Sequence, residues 1–459
     1  MQTCLLSNRG ISTVKQSKKI LIADRIPSLN KGELAILEGI IRTFETLGRV
    51  EVSIFSFQPE PDQKRYPENV KLVDLSHDFL TGFCQESSKT AKTIYAISSL
   101  VDHLLFGFLY FIFRRRALRI FRGALWREYC EVDAIITCHD QESIVLGPST
   151  LPFLPLYIVL LAKTLRKPLV IYGNDTPRPG SELWERSYLG NRLWEKLARF
   201  VLKNADLVTA RDSETFAYFK KLTDKNSHVY LTADPAFLMP PSDVERVKAI
   251  VRREKIERRD GLLIGITCGF HNFLGETLEK QSQLKKRIVE HLADLLDRLI
   301  ENFAATVVFL PHSIEQNRDD RVLAEAVYQK ARNKHGIVVI TNEYSARELK
   351  GLINTFDIFI GGRIHSLISA TSMAVPSIAI VHPSDSRAYG IIAGTMNQSK
   401  WIYVIKDPSN LKGLFEMVKK LISDRHAVSS ALIRQARIAR ENALLNGELL
   451  KALLMKPDT

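Results

Sequence analysis

Short β-branched runs alternate along this chain with amphipathic segments of helix length, and the alternation runs through once and then starts again. KKILIAD (Lys18–Asp24) reads as a first strand. KGELAILEGIIRTFETLG follows as a helix, with Leu34, Leu37, Ile40, Ile41 and Phe44 at helical spacing and Gly48 at its end. VEVSIFSF, DAIITC, PLVIYG, DLVTAR and HVYLTA read as further strands. Then comes MPPSDVERVKAIVRREKIERRDG (Met239–Gly261), a Pro-led, charged stretch that reads as a linker with one helix. After it the rhythm resumes with LLIGITC, TVVFLPH, GIVVIT, DIFIGG and PSIAIV. Such alternation predicts parallel sheets covered by helices on both faces. The restart predicts two Rossmann-like, doubly wound α/β domains facing across a cleft. The expected division is a flexible N-terminus over 1–17, an N-terminal domain over 18–240, a linker over 241–260, a C-terminal domain over 261–408 and C-terminal helices over 409–459 that pack back across the first domain.

A chain of 459 residues has the length for two such domains. Its 64 Lys and Arg against 51 Asp and Glu give a net charge of +13, which favours an anionic partner. No RNP-like or zinc-finger pattern is present, so nucleic acid is not expected. Cys4, Cys84, Cys130, Cys138 and Cys268 are odd in number and lack a CxxC, which fits a reducing compartment and speaks against a disulfide framework or a metal site. MQTCLLSNRGISTVKQSKK does not read as a signal peptide, so a cytoplasmic location is expected, with the inner face of a membrane as an option. That option comes from Ile94–Arg116, where an apolar run from Leu104 to Phe113 follows Asp102-His103 and precedes three arginines. The run is too short to span a bilayer, which takes about 20 apolar residues. Two readings fit it: a core helix, or a helix resting on an anionic membrane with its arginines among the headgroups.

In doubly wound sheets ligands bind beyond the carboxyl ends of the strands. Several polar groups stand at such ends: Pro311-His312-Ser313, then Gly361-Gly362-Arg363-Ile364-His365, then His382-Pro383-Ser384-Asp385 with Arg387. In the first half DLVTA ends in Arg211-Asp212, and the first strand leads into SLNKGELA with Asn30 and Gly32. A glycine pair lets backbone approach a ligand closely. The helix that follows offers free N–H groups and a positive dipole end. Arg363 adds a fork suited to phosphate or carboxylate, and His365 a hydrogen bond or a proton near neutral pH. Together they read as an anion site with an acid–base group. The competing reading has Arg363 capping a neighbouring helix, His365 satisfied in the core, and Arg211 in a local salt bridge beside Asp212, itself a helix cap. Neither GxGxxG nor GxxxxGK[ST] occurs, so nicotinamide and P-loop chemistry drop out and no cofactor is expected.

Taken together, these segments resemble the polysaccharide pyruvyl transferase family from about Ile20 to about Asp407. The carriers are the turn with Asn30, Gly32 and Glu33, then ADLVTARDSETFAYFK, TADPAFLM and VVFLPHSIEQNRDD, and most specifically YSARELKGLINTFDIFIGGRIHSLISATSMAVPSIAI. The resemblance implies a GT-B-like fold. It also implies transfer of the pyruvyl group of phosphoenolpyruvate to a cell-surface or exopolysaccharide sugar as a ketal, with release of phosphate. On that reading Arg211, Gly362, Arg363, Ile364, His365 and Arg387 bind the donor, and His365 and His312 are catalytic. Asn30, Gly32, Glu33, Asp140 and Asp175 face the acceptor, a sugar or a lipid-linked oligosaccharide. The chain departs from the family in having Glu33 where Asp is commoner, Arg387 near where a lysine is common, and YGNDTPRPGSELW in place of a small Gly-rich loop. Two rivals stand beside this reading: a nucleotide-sugar glycosyltransferase on the same scaffold, and a non-catalytic glycan-binding or assembly protein.

Overall fold

The structure, a computed structural model, describes residues 17–24, 26–56, 58–74, 89–138, 154–175, 190–223, 228–259, 261–274, 282–316, 318–383, 385, 387–407 and 411–455. Asp140, Cys4, Cys84, the N-terminus before Ser17 and most of YGNDTPRPGSELW lie outside them.

The first domain contains β1 (Lys18–Ile22), β2 (Val50–Ser56), β3 (Val70–Asp74), β4 (Ala134–Thr137), β5 (Leu169–Asn174), β6 (Leu207–Ala210) and β7 (Val229–Leu231). They form one sheet in the order β3-β2-β1-β4-β5-β6-β7. The second contains β8 (Leu263–Thr267), β9 (Thr306–Phe309), β10 (Ile337–Val339), β11 (Ile358–Gly361), β12 (Ser377–Val381) and β13 (Ile402–Val404), in the order β10-β9-β8-β11-β12-β13. All pairings between these strands are parallel. Both sheets are thus doubly wound, with strand order reversing at β1/β4 and at β8/β11. Each holds one strand more than the sequence pattern suggested. β3 (VKLVD) places a lysine among its apolar residues and β13 has three residues, so neither carries the buried apolar run that marks a central strand.

The helices that matter to the cleft are α1 (Lys31–Phe44), α2 (Lys89–Phe113), α3 (Leu154–Leu165), α4 (Ser213–Leu222), α5 (Val244–Arg253), α6 (Asp320–Lys330), α7 (Ala346–Ile353), α8 (Ile364–Ser372) and α9 (Lys412–Leu454). α1 starts where the Asn30 side chain accepts the Gly32 N–H at 3.0 Å, with Glu33 in the first turn and Arg42 in the last, as the helix dipole favours. Its apolar face, including Leu34, Leu37, Ile40 and Phe44, is buried. The central strands are buried on both sides: Ile20, Leu21 and Ile22 in β1 are all inaccessible, each contributing about 1.5–3 kcal/mol by leaving water.

α5 lies in the link between the sheets. α9 runs from the second domain to the first. Ser429 donates to Ala374 O (2.8 Å) in the second domain. Asn446 accepts from Thr232 Oγ1 and donates to Ala233 O (3.0 Å each) in the first. Gly447 lies so close to α1 that a Cβ would sit 2.9 Å from Thr43 Cβ. α2 packs beside α3, and its buried Phe106 meets Trp126. Among the described residues no helix is long and apolar enough to cross a membrane.

Candidate active site

The cleft is stitched together at backbone level. Lys31 N donates to His312 O (2.9 Å), and Ile314 N donates to Leu29 O (3.1 Å). Asn30 and Ser313 thereby form an antiparallel bridge between the loop after β1 and the loop after β9. On one flank Glu343 of the second domain takes Lys31 (2.7 Å) and Arg65 (2.6 Å) of the first. The Arg65 hydrogen bond, and Lys31 against the opposing effect of burial, hold this carboxyl down at about 2.

Four loops of the second domain converge beneath this seam, at the point where its strand order reverses. After β8, the Asn272 side chain accepts from Gly269 N (2.8 Å) and donates to Gly362 O, fastening the β8 loop to the β11 loop. Gly362 must be glycine here, because a Cβ would lie 2.7 Å from Asn272 Cγ. After β11, Arg363 is the extended residue that opens α8, and no side chain caps the N–H groups of its first turn. Arg363 is pinned: its guanidinium donates to Asp320 Oδ1 (2.8 Å) and to Arg318 O (2.7 Å). The other oxygen of Asp320 accepts from the N–H groups of His312 (2.9 Å) and Ser313 (3.0 Å). One carboxylate therefore fixes both the arginine and the histidine loop. After β12, Arg387 makes a two-point pair with Asp385 (3.0 and 2.8 Å).

Three arginines press on one imidazole. His271 sits far below its ordinary value, first because it is buried and then because Arg363, Arg318 and Arg387 each repel a proton from it. His312 is likewise pushed well down, by burial first and then by His365, Arg363 and Lys31. Both imidazoles are neutral near pH 7. The result is a buried cluster of two neutral histidines beside Arg363, paired with Asp320, and Arg387, paired with Asp385. Guanidinium groups held in this way are suited to present N–H donors to an anion.

His365 projects from α8 across the seam against α1. A Cβ at Gly32 would lie 2.9 Å from its Cγ, so the ring rests on bare backbone. Its Nε2 is 3.7 Å from Asp234 Oδ2. The Nε2 atoms of His365 and His312 are both buried and have no hydrogen-bond partner in the protein. A buried polar atom without a partner costs free energy, and a ligand is one explanation for its retention.

On the first-domain side Arg211 ends β6 fully buried. It donates to Asp234 (2.9 Å) and to Asp175, so two carboxylates share one guanidinium. Burial alone would raise Asp234; Arg211, with His365 behind it, outweighs burial and keeps it below the usual carboxylate range. Arg211 and Asp175, expected on opposite sides of a bound donor and acceptor, are thus partners of each other. Asp212 is the cap of α4, accepting from Thr215 N at 2.9 Å. Asn30 is the cap of α1, and Glu33 is buried in its first turn.

The structure brings His312, Arg363, His365, Gly32 and Gly362 together, with Arg387 at the rim beside His271. Sequence reasoning missed Asp320, Asp234, His271, Asn272, Arg318 and Lys31. Asp234 and Asp320 lie within TADPAFLM and VVFLPHSIEQNRDD, where the sequence pattern assigns neither of them a role. Among the described residues no group of three or more His, Cys, Asp or Glu is arranged to hold a metal ion.

Solved structures with the same architecture include several that hold UDP or a UDP-sugar. UDP-GlcNAc 2-epimerase of Neisseria meningitidis, bound to UDP-GlcNAc, matches at TM-score 0.56 and 13% identity over 96% of this chain and 100% of that one. S. aureus MnaA, bound to UDP, matches at 0.55 and 12% over 94% of each. HepE of Anabaena, with UDP and glucose, matches at 0.52 and 10% over 95% and 98%. At such identities these neighbours establish the GT-B fold and nothing finer. No curated protein matches the chain by sequence. The family model for polysaccharide pyruvyl transferase matches residues 30–384, from the cap of α1 to the loop after β12, and so spans the seam and both histidine loops. On that match, the chain belongs to the polysaccharide pyruvyl transferase family.

Proposed function

We propose that the cleft transfers the pyruvyl group of phosphoenolpyruvate to two hydroxyls of a sugar in a cell-surface or exopolysaccharide glycan, forming a ketal and releasing phosphate. The observation that carries this reading is the pair of buried imidazole nitrogens without a hydrogen-bond partner, His365 Nε2 and His312 Nε2, on the loops that Asp320 and Arg363 tie together. Phosphoenolpyruvate brings a phosphate and a carboxylate. Arg363 and Arg387, with Arg318, provide charge at one end, and the N–H groups that open α8 provide donors.

The chemistry requires a proton on the methylene carbon. The C2–C3 π pair takes it, and one sugar hydroxyl attacks C2. The second hydroxyl then attacks C2, and the C2–O bond to phosphate breaks with its electron pair staying on oxygen. Of the two hydroxyl protons, one replaces that spent on the methyl carbon and the other leaves with phosphate. On this reading His365, whose Nε2 is 3.7 Å from Asp234 Oδ2, gives the proton. On the same reading His312, which burial keeps neutral, accepts one. Glu33 and Asp140 are candidates for the acceptor side, and a lipid-linked oligosaccharide is a candidate acceptor.

A second reading has one observation in its favour: the neighbours named above were solved with UDP or a UDP-sugar. Calorimetry separates the two. Phosphoenolpyruvate and UDP are titrated into wild type, Arg363→Ala and Arg363→Lys, with folding followed by circular dichroism. Saturable phosphoenolpyruvate binding, lost in Arg363→Ala and weakened in Arg363→Lys, is the expected result. Binding of UDP alone would transfer the cleft to a nucleotide-sugar glycosyltransferase, and binding of neither would favour a non-catalytic role.

A further inference from the structure

α2 has two faces of opposite kind. Inward, His103 and Phe106 are buried, their rings 4.7 and 4.4 Å from that of Trp126. Phe106 also meets Phe121 edge-on at 5.3 Å. These contacts fix the rotation of the helix, so its other face cannot turn inward. Outward stand Val101, Leu104, Leu105, Phe108, Phe111 and Ile112, spaced as one helical stripe. Each is about half exposed or more, with Phe108 at 61% and Phe111 at 67%. A contiguous apolar stripe of this kind is unlike singly scattered surface residues and marks a contact surface.

What covers it is indicated by charge. The helix ends at Phe113, and Arg114 turns the chain through a left-handed conformation (φ 52°) into a short 3₁₀ segment, Arg114–Arg119. Arg114, Arg115, Arg116, Arg119 and Arg122 are all exposed at this end of the stripe. None of them forms an ion pair among the described residues. No Asp or Glu occurs between Asp102 and Glu128, a stretch with six arginines. A second copy of this chain meeting the stripe in a two-fold contact would present the same arginine-rich surface, with Asp102 the one carboxylate carried by α2 itself and Glu131, near Cys130, the next accessible one, against five exposed arginines. An anionic bilayer supplies both needs at once: acyl chains for the stripe and lipid phosphates for the guanidinium groups.

We infer that the outer face of α2 seats the protein on an anionic membrane surface, with Phe108, Phe111 and Ile112 at the headgroup–acyl boundary and Arg114, Arg115, Arg116, Arg119 and Arg122 on lipid phosphates. The seat lies in the first domain and does not depend on which donor the cleft takes. It would hold the cleft beside an acceptor carried on a lipid.

The test is sedimentation of the full chain with vesicles of phosphatidylcholine alone or mixed with phosphatidylglycerol, at low and high salt. The protein is expected to pellet with the mixed vesicles, to stay in solution with the neutral ones, and to be released by salt. Replacing Arg114, Arg115 and Arg116 by Gln should weaken the partition on the order of a hundred-fold at low salt, at about tenfold or less per arginine. Phe108→Ser with Phe111→Ser should abolish what remains. Both variants alter exposed side chains, and unchanged circular dichroism and melting keep the comparison clean. Equal pelleting with neutral and anionic vesicles, or none with either, overturns the inference. So does a dimer seen by sedimentation equilibrium that Phe108→Ser dissolves while vesicle binding is absent. Because the readout is lipid partition, it is independent of the outcome of donor calorimetry.

Discussion

The imidazole of His365 lies against the backbone of Gly32, and the contact joins the helix of one domain to the helix of the other. Nothing larger than hydrogen fits between them. Gly32→Ala should push the ring off Asp234 or part the seam, at a stability cost of about 1–3 kcal/mol, as overpacking does. Thermal melting checks the cost. A fall in turnover larger than the fall in donor affinity would locate the damage at the histidine rather than at the arginines.

Asp320 is the carboxylate on which Arg363 and the His312 loop both depend. Asp320→Asn keeps the shape but removes the charge opposite a guanidinium that is 14% exposed. The expected cost is about 3–5 kcal/mol, as for other buried pairs broken on one side. Urea unfolding measures it. Donor binding should fall along with it, since Arg363 would no longer be held in place.

His365→Asn should leave phosphoenolpyruvate affinity within a few-fold of wild type while lowering turnover by about 10²–10⁴-fold. His312→Asn should behave similarly if it accepts a proton. Stability carries a pH signature as well. His271 and His312 are depressed in the folded state, so the unfolded chain binds more protons below its own value of 6.5. Stability from these groups is therefore complete above pH 6.5 and is lost as pH falls below it. Melting temperature against pH should drop in that window, and less steeply in His271→Asn.

Lys350 on α7 is fully buried with its ammonium on Met239 O (2.8 Å), and burial, aided by Arg440, pushes it down to about 7. Between about 7 and its ordinary 10.5 the unfolded chain holds a proton that the folded chain has released. Stability should thus rise with pH across this range instead of falling. Lys350→Met should flatten the rise, as read from melting temperatures at successive pH values.

The sheets were legible because central parallel strands are apolar on both faces, and DIFIGG, PSIAIV or PLVIYG have no other comfortable place. The edge strands Val70–Asp74 and Ile402–Val404 were not, since edges need no such run. The strand-end positions of Arg363, His365 and His312 followed from the same logic. Their partners did not. Asp320 is 43 residues from Arg363, and Asp234 is 23 from Arg211. Separations of that size are closed only by the sheet order. For the same reason Arg211 reads from sequence either as an anion binder or as half of a local pair with Asp212, whereas the fold pairs it with the distant Asp175 and Asp234. The apolar stretch after Ser98 was ambiguous in sequence because one stripe of it is core and the other is open.

The long closing helix, Lys412–Leu454, begins on one sheet and ends locked to the other through Asn446 and Gly447. The two halves are therefore not interchangeable cassettes. A chimera meant to exchange the acceptor-facing half for that of a relative must carry the final turns of this helix along with residues 18–240, or it will pair a foreign roof with a native floor. A C-terminal truncation of a few turns, far from the histidines in sequence, would have the same effect as cutting into the first domain itself.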